Sequence, residues 1–242
     1  MTPEAAPEAS LVVRLEVRQR RGPALTVPAP GLRERKKQRT RDALIRVALE
    51  LFTEQGYERT TVDEIVDAVE VSQRTFFRYF ASKEEVAFAV QHMVEALFVT
   101  ALEQRPPGEG PFDALRHAVL SAWDHAGEAI SEAVPIELYL RTFEMIESTP
   151  ALLAVHLRRS AETEETIARI IAEREGLDVD EDPRPRIAVA AFSGVMRVTG
   201  QMWVRGTDQS LEAIRALTER YLDHLGPALA PHWRNSAPGD TP

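Results

Sequence analysis

Gln73, Arg74 and Thr75 follow directly on Ser72, and Arg78 and Tyr79 recur one helical turn later. An amide, a guanidinium and hydroxyls on one short helical face can hydrogen-bond base edges in a DNA major groove and the phosphate oxygens beside it. Ser72 suits the N-cap of such a helix, while Phe76 and Phe80, four residues apart, turn inward and leave the polar groups outside. Just upstream, Val62, Ile65, Val66 and Val69 recur at helical spacing, with Thr61 and Asp63 at the amino end. Glu70 and Val71 then make the turn. Residues 60–83, TTVDEIVDAVEVSQRTFFRYFASK, therefore read as two short helices joined by a tight turn, the second one presented to a groove.

Two short amphipathic helices alone are a weak signal, so the flanks matter. Upstream, RERKKQRTRDALIRVALELFTEQGY leads from a basic start into a helix with Ile45, Ala48, Leu49 and Phe52 on one face, stopped at Gly56. Downstream, Ser82 caps a further helix beginning at Lys83. This succession resembles the TetR family of transcriptional regulators, over roughly Arg33 to Gln104. The resemblance implies an all-α fold: a three-helix, helix-turn-helix DNA-binding domain followed by a helical domain that dimerises and binds a small effector. It also implies phosphate contacts by Thr40, Thr61, Tyr79 and Lys83. Two positions depart from the family pattern. Glu70 stands where a glycine is usual, and Phe77 stands where many members carry a phosphate-touching tyrosine, leaving only apolar contact. The basic run places Lys36, Lys37 and Arg39 along a phosphate track or near an adjoining minor groove.

The formal net charge of -9 suits a nucleic-acid binder only when it is divided along the chain. Residues 33–83 carry 11 Lys or Arg against 9 Asp or Glu, a net of +2, whereas residues 84–242 carry 14 against 26, a net of -12. A basic head on an acidic body confines attraction for DNA to the head. The 242 residues, 44% hydrophobic, are enough for one or two domains with a real core. The chain lacks cysteine, which excludes disulfides, thiolate metal sites and cysteine nucleophiles. Without a run of 18 apolar residues or a secretory signal, a cytoplasmic protein with no membrane partner is expected.

The expected domains are a disordered tail over 1–32, the DNA-binding head over 33–83, a helical body over 84–230 and a flexible tail over 231–242. In the body, one helix is expected from Lys83 to about Leu102, ended by RPPGEGP, and others over Phe112–Ile130, Pro135–Ile146 and Pro150 to Gly176. Two final helices are expected over Arg186–Val204 and Ser210–Leu229. Trp123, Tyr139, Phe143, Phe192, Met196 and Trp203 are the candidate effector-lining residues, and Arg141 with Glu137 could orient a polar ligand group. The same aromatic residues also suit an ordinary core. Ala190, Gly194 and Val198 form a small-residue stripe for a dimer contact, with Leu211, Ile214, Leu217 and Leu222 as apolar partners.

His117, His125 and Glu128 have no metal-ligand spacing, and neither a nucleophile elbow nor a phosphate-binding glycine loop is present. No cofactor, metal or enzyme activity is expected. The reading is a homodimeric repressor of a palindromic operator, released by a small-molecule effector. An activator or an effector-independent regulator shares the same pattern, and an all-helical enzyme or ligand carrier and a nonspecific architectural DNA protein are the rivals from other classes.

Overall fold

Leu44, Ile45, Ala48, Leu49 and Phe52 lie on one side of the first helix, and each is 1% exposed or less. The rest of the chain is arranged around that stripe. The computed structural model describes residues 31–228, and the expectations for tails over residues 1–30 and 231–242 lie outside them. Of the residues assigned to the tail, Leu32 instead begins the first helix, with Gly31 directly before it. The described residues form helices and connecting turns: α1 (Leu32–Gln55), α2 (Val62–Ala68), α3 (Gln73–Tyr79), α4 (Lys83–Ala87), α5 (Ala89–Glu103), α6 (Pro111–Ala133), α7 (Ile136–Ser148), α8 (Pro150–Glu175), α9 (Arg184–Val204), α10 (Leu211–Asp223) and α11 (Leu225–Ala228). The all-helical expectation holds.

α1 packs on α2 and α4 within the head and on α6 and α7 in the body. Its apolar stripe belongs to one continuous cluster that includes Ile65, Phe76, Phe80 and Phe88 and runs on to Ile130, Leu138, Tyr139 and Trp203. A second cluster fills the far end of the body, where Phe98, Leu102, Leu115, Ile167, Ile171 and Phe192 meet. The acidic loop between α8 and α9 is held by Arg186, which pairs with Glu165 at 3.0 Å and Asp180 at 3.0 Å.

Two expected helices are interrupted. The helix from Lys83 breaks at Phe88, whose backbone sits at φ -97, ψ 2. No proline or glycine stands at the break; the ring of Phe88 is buried and stacks on both His92 and His156, with centroids 6.4 and 6.3 Å away. The last helix breaks at His224, and Pro227, which has no amide hydrogen to donate to the carbonyl of Asp223, prevents a regular continuation. α9 starts two residues earlier than expected, because Pro185 fits the first turn where amide hydrogens have no helical partner.

α2 ends in a Schellman motif: Val71 N–H donates to the Val66 carbonyl at 2.9 Å and Glu70 N–H to the Asp67 carbonyl at 3.1 Å. Glu70, at φ 57, is the non-glycine residue with a positive φ among the described residues. A Cβ in that conformation costs about 1 to 2 kcal/mol. Glu70→Gly is therefore expected to stabilise the protein by up to about 1 kcal/mol once the greater freedom of glycine in the unfolded chain is subtracted. A thermal midpoint that falls in this variant would show that the Glu70 side chain makes a contact outweighing the strain.

Candidate nucleic-acid interface

Each short helix of the head begins on a hydroxyl. The Thr61 hydroxyl accepts from Glu64 N–H at 3.2 Å while the Glu64 carboxylate accepts from Thr61 N–H at 2.7 Å, a complete capping box. That pairing holds the Glu64 carboxyl below its ordinary range. Ser72 accepts from Thr75 N–H at 3.2 Å, and Ser82 from Glu85 N–H at 3.4 Å. With Phe76 and Phe80 buried beneath it, α3 has one orientation available, and Gln73, Arg74, Phe77 and Arg78 stand exposed on its outer side.

The exposed groups differ in how they are committed. Arg74 makes no hydrogen bond or ion pair among the described residues, so its guanidinium fork is free for a base or phosphate. Arg78 stacks on the Tyr79 ring at 5.0 Å and is 3.4 Å from its hydroxyl, which fixes the pair at the end of the helix. Thr75 and Ser72 share a hydrogen bond at 3.0 Å between their hydroxyls. Phe77 is 52% exposed, an apolar group at the position where it can meet a thymine methyl or a sugar. Gln73 donates to Asp63 across the turn.

Of the phosphate contacts implied by the family resemblance, two are engaged within the chain. Lys83 donates to the carbonyls of Tyr57 at 3.0 Å and Thr60 at 3.2 Å, with its ammonium 4.2 Å from the Tyr57 ring centroid. Thr61 spends both its hydroxyl and its amide on Glu64. Thr40 donates to the Lys36 carbonyl at 3.0 Å and keeps its lone pairs. Lys36 and Arg39 are exposed on the first turns of α1, and Lys37 pairs with Glu34 at 3.3 Å where both side chains are mostly in solvent. Such an exposed pair is worth little and yields readily to a phosphate. Sequence reasoning missed Asp63 as a partner of Gln73, and Arg41, whose guanidinium lies 5.4 Å from the Phe80 ring centroid. Neither contact has a local sequence signature, since each joins residues brought together by packing.

The candidate effector residues do not converge. Tyr139 and Trp203 meet at 6.3 Å in the core shared with the head, where Trp203 donates to the Ser210 carbonyl at 2.9 Å. Phe192 stacks on Phe98 at 5.6 Å in the other cluster, with Met196 beside it. Trp123 touches both clusters, and its buried indole N–H has no hydrogen-bond partner among the described residues. Phe143 packs over Gly200 and lines an outer cleft of about 250 Å³ with Glu144, Glu147 and Arg205. Arg141 and Glu137 both lie on the exposed side of α7, apart from the aromatic candidates. Glu95, which sequence reasoning passed over, occupies the same stripe of α5 as buried Phe98 and Leu102, and burial raises its carboxyl above the ordinary range. A charged residue inside an apolar stripe was the available signal.

A capped, solvent-facing helix with a free guanidinium, held on its partner helix by buried phenylalanines, has the form of a helix-turn-helix. Residues 44–90 match the family model for bacterial regulatory proteins of the tetR family, and residues 109–230 match the MftR C-terminal domain. The transcriptional regulator TcmR of Streptomyces glaucescens is 49% identical over 209 residues, 86% of this chain and 92% of its own length. The regulator MftR of Mycobacterium tuberculosis is 30% identical over 171 residues, 71% of this chain and 82% of its own. A transcriptional regulator from Pseudomonas aeruginosa PAO1 has a similar fold, with TM-score 0.50 and 19% identity over 81% of this chain and 92% of its own. The chain belongs to the TetR family and is a DNA-binding transcriptional regulator.

Two substitutions separate reading from holding. Arg74→Ala is expected to cost about 1 to 3 kcal/mol on a preferred duplex and to flatten discrimination at one base position per half-site. Lys83→Met is expected to lower the thermal midpoint through loss of about 1 to 2 kcal/mol, because two partly buried carbonyls lose a charged donor. Its slope of log affinity against log salt should stay close to that of the unaltered protein. A slope reduced by about 1 per site would instead make Lys83 a phosphate contact.

Proposed function

We propose that the chain acts in the cytoplasm as a homodimeric repressor of a palindromic operator, released when a small molecule occupies the body. The observation that carries the dimer is the outward face of α9. Ile187, Val198 and Met202 are 64%, 47% and 44% exposed, and with Ala190 and Gly194 they make one apolar stripe. By length and composition this helix is apolar enough to cross a membrane, and only 22% of its most apolar stretch is buried within the chain. A second copy covering the stripe accounts for that composition, and the open space around Gly194 lets another helix approach closely. Leu211, Ile214, Leu217 and Leu222 of α10, first assigned to the interface, are packed against the chain's own core, because α10 lies on α6 and α9.

Support for release by an effector comes from the junction at Phe88. This residue ends the head's last helix, and it is stacked on His156 while Arg159 lies 5.6 Å from its ring centroid, both on α8 of the body. A ligand that shifts α8 shifts the spacing of two heads. Any effector favouring a spacing unsuited to the operator must be weakened by the operator to the same degree.

Gly194→Arg tests the assembly, since a side chain at this position meets nothing within 4 Å in the single chain. Sedimentation is expected to show monomers with weakened operator binding; a persistent dimer would move the interface elsewhere. Duplexes selected by the unaltered dimer should carry inverted half-sites with centres about 34 to 36 Å apart, or a multiple of that, and direct or single sites would defeat the palindromic reading.

A further inference from the structure

The side chain of Gln73 is tied to α2, and this tie restricts what it can read. Its Nε2 donates to the Asp63 carboxylate. A carboxylate only accepts, so the amide must present its nitrogen to Asp63, and its orientation is thereby settled. Both residues are exposed on the outer side of the head. Their backbones are fixed: the capping box of Thr61 and Glu64 sets the first turn of α2, the Ser72 cap sets that of α3, and buried Ile65, Val66 and Phe76 lock the two helices together. Asp63 in the first turn of α2 is further favoured there by the positive end of the helix dipole.

We infer that Asp63 is a positioning residue for sequence selectivity, which holds Gln73 so that it reads adenine and rejects guanine in each half-site. This rests on α3 being the reading helix. A glutamine amide has one acceptor oxygen and two N–H donors. With one donor held by Asp63, it has one acceptor and one donor left. Adenine offers the complement of that pair in the major groove, an N6 donor beside an N7 acceptor. Guanine offers two acceptors, O6 and N7, and would require both N–H groups or leave Oε1 facing O6. The Asp63 charge opposes the same guanine oxygen.

The test is selection by the full chain from duplexes with randomised half-sites, for the unaltered protein and for Gln73→Ala, Asp63→Ala, Asp63→Asn and Arg74→Ala, with thermal midpoints measured alongside. The base pair whose preference vanishes in Gln73→Ala should favour adenine over guanine by about tenfold or more in the unaltered protein, and Asp63→Ala should bring that ratio to about twofold or less. Asp63→Asn can donate as well as accept, so it no longer settles the Gln73 amide and should weaken the adenine preference to a ratio between those of the unaltered protein and Asp63→Ala. Asp63 is exposed, so its replacement leaves the core intact, and a midpoint lowered only by the small loss of a helix-terminal charge verifies this. A guanine preference at that pair, or an adenine preference that survives Asp63→Ala, overturns the inference. Selectivity lost with Arg74→Ala but indifferent to Gln73→Ala also overturns it while leaving DNA reading intact, and the absence of any selected sequence brings down the reading-helix assignment itself.

Discussion

The buried stripe of α1 is the constraint on which the remaining structure depends. Leu44, Ile45, Ala48, Leu49 and Phe52 pack against α2 and α4 on the head side and against α6 and α7 on the body side. Each fully buried aliphatic or aromatic side chain is worth about 1.5 to 3 kcal/mol relative to exposure, so this single helix anchors two parts of the protein at once. Its first turns, by contrast, are exposed and basic from Arg33 to Arg39. One helix therefore joins an exposed basic surface to the core of the body.

Local hydrogen bonding supplies what burial cannot. The helices of the head are only five to seven residues long after α1, too short to persist alone, and hydroxyl caps at Thr61, Ser72 and Ser82 satisfy their free amide hydrogens. The turn between α2 and α3 accepts a strained Glu70 because the Schellman hydrogen bonds donated by its own N–H and by that of Val71 set its backbone. Lys83 ties the start of α4 back to the carbonyls of Tyr57 and Thr60. The geometry of the reading helix is thus held by contacts that lie outside it.

The body combines apolar packing with a few polar groups in its interior. Burial raises the Glu95 carboxyl and lowers the His92 and His156 imidazoles, and burial also pushes the Tyr139 hydroxyl up to about 12. These shifts fall along the path from the α4–α5 junction into the body, close to Arg159 for Glu95 and His92.

The head was legible in the sequence because its signals are local: cap residues three positions from the amides they accept from, apolar spacing of three and four, and the Phe76–Phe80 pair that fixes which side of α3 faces out. Gly176 and the prolines marked helix ends in the body for the same reason, since backbone conformation is set by the residue itself. What depended on tertiary structure was the use of each face. Phe88 interrupts a helix that no breaker residue announces, and its ring is buried against His92 and against His156 of α8. The apolar residues of α10 and the outer face of α9 have similar composition, yet only the former is covered within the chain. Likewise Lys83 and Gln73 carry groups suited to DNA, and whether those groups are free is decided by Tyr57, Thr60 and Asp63, which are distant in sequence and adjacent only after folding.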